Sequence, residues 1–203
     1  MKLYYSPGAC SLSPHIALME AGLPFEAVLA PTKTKKLPDG TDFRTVNSKG
    51  YVPLLEFDDG QRLSEGPAIV QWIADQVPAK KLAPAAGTLA RYRLMEWLNF
   101  ITSELHKGYS PLFNPAVTDE ATKKLFRDKL VERYTWVDQQ LAGQTFLMGE
   151  DFTVADIYLF VTSNWGGYVG VDLSGLAHLQ AWKARVAARP AVQAAMKAEG
   201  LIK

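Results

Sequence analysis

Every convincing strand signal in this 203-residue chain lies before Ser64, and none follows the proline- and alanine-rich stretch from Pro78 to Gly87. That asymmetry points to a small α/β domain followed by an all-helical one. Lys2–Tyr5 reads as a strand, followed by a helix over about Pro14–Ala21 that Gly22 closes. Phe25–Leu29 reads as a second strand. A lysine-bearing loop then runs from Pro31 to Gly40, ahead of a short helix around Thr41–Val46. Val52–Phe57, the turn Asp58-Asp59-Gly60 and Gln61–Leu63 form a hairpin, Asp-Gly being a strong turn signal. Ile69, Ile73 and Val77 give Pro67–Val77 helical periodicity. The order β-α-β-α-β-β-α predicts two parallel strands and a hairpin in one small mixed sheet flanked by helices. Helices are then expected over Leu89 to about Lys107, Glu120–Leu141, Thr153 to about Ser163, Leu176–Ala188 and Ala191–Ala198. The expected boundaries are 1–78 for the first domain, 79–87 for a linker and 88–203 for the helical domain.

Composition excludes several partners. An apolar content of 48% with 21% charged residues describes an ordinary globular protein. A net charge of +1 offers no field for nucleic acid or an anionic membrane. No apolar run reaches the roughly 18 residues that a bilayer span needs, and the start of the chain lacks the apolar run of a signal peptide. A cytoplasmic location is therefore expected. The single cysteine forms neither an internal disulfide nor a thiolate zinc cluster, so no metal is expected.

That cysteine, Cys10, sits where the first strand gives way to the first helix. Whether the helix starts near Ser11 or at Pro14, Cys10 lies within about a turn of its positive end, which favours an anion such as a thiolate. A small buried hydrophobe is the other reading. Val52-Pro53 opens the third strand, either as a strand-start proline or as a cis bond that turns the Val52 backbone outward to pair with an extended peptide. Ser64-Glu65-Gly66-Pro67 precedes a helix, where a carboxylate can hold an ammonium and helix N–H groups a carboxylate; a simple cap fits equally. Asn99, Ser103 and His106, at i, i+4 and i+7, are expected on one helix face. They form either a functional row or the solvated stripe of an amphipathic helix. His15 and His178 have no such company and read as structural. Thr153-Val154-Ala155-Asp156 is a variant capping box whose role is folding. Gly166, Gly167 and Gly170 follow no strand and are not a phosphate loop. Lys33, Lys35 and Lys36 read as a solvated loop unless an anion binds nearby.

Taken in order, these landmarks resemble the glutathione S-transferase family, specifically its bacterial beta class, over nearly the whole chain. The resemblance rests on Tyr5-Ser-Pro-Gly-Ala-Cys10-Ser-Leu, Asn47-Ser-Lys-Gly-Tyr-Val-Pro53, Ser64-Glu65-Gly66-Pro-Ala-Ile, the run from Trp97 to Lys107, and Phe152-Thr-Val-Ala-Asp156. The pair Cys10 and His106 points to the beta class. The resemblance implies a thioredoxin-like first domain, a helical second domain, a homodimer, and glutathione as co-substrate with no further cofactor. It implies that Val52 pairs with the cysteinyl backbone of glutathione, that Pro53 is cis, that Glu65 and the Gly66 backbone hold the γ-glutamyl end, and that Lys35 holds the glycyl end. Asn99, Ser103, Glu104 and His106 would contribute from the helical domain. Many relatives carry serine at position 66, and glycine there donates only its backbone N–H. The implied chemistry is stabilisation of the glutathione thiolate by donors from Cys10, Ser11 and His106, then attack on a small hydrophobic electrophile. Tyr5 resembles the donor tyrosine of other classes. Tyr109, Phe113 and Trp165 are the expected electrophile pocket, with plain core aromatics as the other reading. Two alternative activities are thiol–disulfide exchange or reductive dehalogenation through a Cys10 mixed disulfide, and non-catalytic binding of apolar ligands.

Overall fold

The computed structural model describes residues 1–203. They form two compact units, one of Met1–Ala83 with Ala188–Lys203 and the other of Pro84–Ala187. In the first unit β1 (Lys2–Tyr5), β2 (Glu26–Leu29), β3 (Leu54–Glu56) and β4 (Arg62–Ser64) make one sheet in the order β2-β1-β3-β4. β1 and β2 are parallel and β3 and β4 form a hairpin, as the sequence order predicts; the structure adds that β3 runs antiparallel to β1. Alternation along β1 sends Leu3 to one face and Tyr4 to the other. Leu3 pairs in register with Leu55, and both are buried in the core. Tyr4 pairs with Leu54 and packs with Val52, Ala30 and Phe43, the last from α2 (Phe43–Val46).

Helices α1 (Leu12–Ala21) and α3 (Gly66–Gln76) pack together, burying Ile16, Leu18, Ile69 and Ile73. Gly22 ends α1 in the left-handed conformation at φ +71°. The last helix, α10 (Pro190–Ala198), corrects the expected boundary of a helical domain over 88–203. It packs on α1 with Val192 and Ala195 buried, and Arg189 makes a two-pronged ion pair with Glu20 at 2.6 and 2.9 Å. The expected linker 79–87 spans the division between the units; Pro78–Lys80 forms a 3₁₀ turn at its start and Leu82 is buried.

The second unit opens with α4 (Leu89–Phe100), which passes through a π-helical turn at Ile101–His106 into α5 (Lys107–Phe113). It continues with α6 (Glu120–Gln140), α7 (Val154–Ser163), the short α8 (Gly166–Val169) and α9 (Ala177–Ala187). α7 is mostly apolar and every one of its residues is buried, its polar members Asp156, Thr162 and Ser163 being hydrogen-bonded. Gly166 starts α8 in close contact: a Cβ there would lie 2.7 Å from the Val171 carbonyl. Packing, not phosphate binding, explains that glycine.

One carboxylate organises the start of α7. The Thr153 N–H and hydroxyl each donate to Asp156 Oδ2 at 3.0 Å, while the Leu147 N–H (2.8 Å) and the Trp182 indole N–H (2.9 Å) donate to Oδ1. Burial pushes the Asp156 carboxyl up, and these donors oppose that shift. Asp156→Ala would remove the cap and leave buried donors unmet, so a loss of about 3 kcal/mol is expected, read as a lower urea midpoint with an unchanged slope.

Candidate functional site

Cys10 lies in the connection from β1 to α1, and α1 begins at Leu12, the earlier of the two starts considered from sequence. Tight turns shape this connection: the Ala9 N–H donates to Ser6 O, Leu12 to Ala9 O and Ser13 to Cys10 O, at 3.0, 3.0 and 3.1 Å. Gly8 takes φ +70°, a conformation costly for other residues. Ser11 is fully buried; its hydroxyl accepts from the Ser6 N–H at 3.0 Å and donates to Ser6 O at 3.2 Å. The expected catalytic donor Ser11 is therefore corrected to a loop staple, since its hydroxyl is engaged with its own loop. Ser13, expected just ahead of the helix, lies within it and donates to Cys10 O at 2.8 Å.

A side chain from the other end of the chain holds this loop. Glu199 Oε2 accepts the Gly8 N–H at 2.9 Å, and Oε1 lies 2.8 Å from His15 Nδ1, with both side chains buried. His15 also meets Phe25 and Tyr5 edge-on, at 5.4 and 5.7 Å between centroids, so it is structural. Tyr5 is half-buried beside it. Cys10 is half-buried too, and its Sγ donates to the Val52 carbonyl at 3.3 Å.

Val52 ends a loop built on Asn47, whose side chain donates to Tyr51 O at 2.7 Å and accepts from the Lys49 N–H at 3.3 Å. The Val52–Pro53 peptide is cis. Lys35 reaches the same loop, donating to Gly50 O at 2.6 Å with its ammonium over the Tyr51 ring. Glu65, just ahead of α3, has φ +70°, a region that non-glycine residues enter only at a cost and often at functional positions. Its exposed carboxylate receives the Lys49 ammonium at 2.6 Å, which also touches Ser64 Oγ at 3.2 Å. A Cβ on Gly66 would meet Pro53 and Ser13 only at 3.9 and 4.0 Å, so a side chain fits there. Cys10, Lys35, Val52, Pro53, Glu65 and Gly66 thus gather around the Asn47–Pro53 loop and the start of α3.

In the second unit the π-helical turn corrects the expected single face. Such a turn takes in extra backbone, so exposed Lys107, not His106, continues the row of exposed Asn99 and Ser103. Ser103 Oγ donates to Asn99 O at 3.1 Å. His106 turns inward, its Nδ1 2.6 Å from the Tyr158 hydroxyl and its ring edge-on to Trp165 at 4.9 Å. Glu104 is ion-paired with Arg133 at 3.0 Å and, more loosely, with Lys129 at 3.9 Å. Of the expected pocket, Phe113 is half exposed and Trp165 largely buried, with 6.1 Å between their ring centroids. Tyr109 is corrected to a core residue: it is fully buried behind Trp165 at 5.6 Å, and burial pushes its phenol up to about 12.

Lys49, Arg133, Tyr158 and Glu199 were not expected from the sequence. Lys49 lies within the Asn47–Pro53 stretch, where a cation near Glu65 could have been noticed. The others show no local signal, because their partners are 29, 52 and 184 residues away in sequence.

The profile of the glutathione S-transferase N-terminal domain matches residues 8–76, and that of the C-terminal domain matches residues 100–190. The chain is similar to Glutathione S-transferase GstA of Escherichia coli O157:H7, with 45% identity over 201 residues spanning 99% of this chain and 100% of that one. Among solved structures, a ternary complex of BphK, a bacterial GST, superposes with a TM-score of 0.96 at 57% identity, covering 98% of this chain and 100% of that one. A sphingomonad glutathione S-transferase complexed with glutathione superposes with a TM-score of 0.94 at 50% identity over 100% of both chains. This chain belongs to the glutathione S-transferase family.

Proposed function

We propose that this protein binds glutathione, stabilises its thiolate and transfers it to small hydrophobic electrophiles. The observation that carries the reading is the Cys10 thiol at the Val52 carbonyl, with Lys35 and Glu65 reaching the same loop region. The Val52 backbone pairs with the cysteinyl unit and brings the glutathione sulfur to Cys10. Glutathione has a cysteine-like thiol, mostly protonated at neutral pH, so donors near the start of α1 are needed to favour its anion. With the Ser11 hydroxyl engaged by Ser6, that task falls to the Cys10 thiol, a weak donor that exchanges the Val52 carbonyl for the ligand's sulfur, and, from the second unit, to His106. Glu65 takes the ligand's ammonium in exchange for Lys49, an exposed pair worth at most about 1 kcal/mol. Lys35 takes the glycyl carboxylate, and Gly66 offers its N–H to the γ-glutamyl carboxylate. Phe113 and Trp165 offer apolar surface to the electrophile.

Two further features belong to this reading. Leu89, Tyr92 and Met95 are 72%, 59% and 36% exposed at i, i+3 and i+6 of α4, an apolar strip suited to a second copy of the chain. A cytoplasmic location suits a reaction that draws on reduced glutathione and keeps Cys10 a free thiol. No helix is long and apolar enough to cross a membrane.

Three measurements test the reading. A Cys10→Ala, His106→Ala double variant should lose at least about tenfold in kcat/KM for a chromogenic aryl halide, and equal rates would overturn these roles. Gly66→Ser should lower KM for glutathione roughly two- to tenfold with kcat little changed, by adding a hydroxyl donor where space exists. Light scattering should show a dimer for the native chain and a monomer for Tyr92→Glu; a native monomer would sink the assembly.

A further inference from the structure

Lys35 and Lys49 both reach the site region, but in different company. The Lys49 ammonium meets a full counter-charge, the Glu65 carboxylate, at 2.6 Å. The Lys35 ammonium instead donates to Gly50 O at 2.6 Å and lies over the Tyr51 ring, 5.3 Å from its centroid. A carbonyl and a ring face carry only partial negative charge, so they hold the cation without neutralising it. An ammonium has three N–H donors, and the bond to Gly50 O leaves others for an anion. Both supports come from consecutive residues of one braced loop: the Asn47 side chain donates to Tyr51 O at 2.7 Å, and Gly50 turns at φ +64°. The Lys35 backbone is braced as well, donating to Pro31 O at 3.1 Å and accepting from the Phe43 N–H at 2.7 Å. What remains to be ordered is the lysine's flexible stem, which carries much of its conformational entropy. Tyr51 is 66% exposed, so filling the core does not explain its ring.

We infer that Tyr51 is a positioning residue whose ring face holds the Lys35 ammonium in place for the glycyl carboxylate of glutathione. A carboxylate at that position would hold the lysine more firmly but would compete with the ligand for it. The ring orders the stem beforehand and leaves the charge available, which lowers the entropy lost on binding. This rests on the proposed part of Lys35 in glutathione binding, while the ring's hold on the lysine can be measured without any ligand.

The test has two arms. In the first, NMR follows the ε-methylene protons of Lys35, assigned with a Lys35→Met variant. The ring current should move them upfield in the native protein and in Tyr51→Phe, but not in Tyr51→Leu. In the second, calorimetry measures binding of glutathione and of its glycyl ethyl ester, which lacks the charge that Lys35 would meet. Tyr51→Leu should bind glutathione about two- to fivefold more weakly, and Tyr51→Phe should match the native protein. All three proteins should bind the ester alike. An unshifted Lys35 signal in the native protein, or unchanged glutathione affinity in Tyr51→Leu, would overturn the inference. So would a Tyr51→Phe protein as weak as Tyr51→Leu, or equal losses for glutathione and the ester. If the binding pattern holds but no conjugate forms with an aryl halide, the transferase reading fails and the role of Tyr51 stands. A native protein that binds no glutathione would overturn both.

Discussion

The shape of the segment that carries Cys10 depends on a buried carboxylate, that of Glu199 just beyond α10. Glu199 meets the Gly8 N–H and the His15 ring at once, so the turn before Cys10 and the first turns of α1 are fixed to one point. Burying a carboxylate is costly unless its oxygens are met by donors. Here the two oxygens have different partners, and both partners belong to the region that places the thiol. Ser11 completes the arrangement by closing the loop on Ser6. The thiol then sits at the Val52 carbonyl.

The sheet was legible because its signals are local. Alternation, Asp-Gly and the strand–helix order are enough to predict the parallel pair β1–β2 and the hairpin β3–β4. The capping residues Thr153 and Asp156 were legible for the same reason. Two features were not. Nothing local in the sequence of α10 says that it packs on α1, because the partners that hold it, Glu20 and the β1–α1 region, come from the other end of the chain. The π-helical turn leaves only a faint trace, the buried run Ile101, Leu105 and Tyr109 at a spacing of four, which an ordinary helix also tolerates.

At the site itself, some expected residues come together and others turn into scaffold. Cys10, Lys35 and Glu65, which the family resemblance brings together, each reach the region of the Asn47–Pro53 loop. Ser11 and Tyr109 went the other way, because a hydroxyl or an aromatic ring beside a site serves equally well as scaffold. Ser11 satisfies its own loop, and Tyr109 backs Trp165 from inside the core. The difference lies in burial, which a single sequence does not display. Lys49 is the converse case, an unremarked lysine placed against Glu65 by the turn at Gly50.

The division of the chain has a consequence for its birth on the ribosome. Residues 84–187 form a continuous unit, while the sheet-bearing unit is split and receives α10 only after those residues have been made. The helical unit can therefore be complete while the earlier part of the chain still lacks its final helix and Glu199. Synthesis usually lets the N-terminal domain finish first. In this topology the thiol-bearing loop is among the last parts to gain its native support.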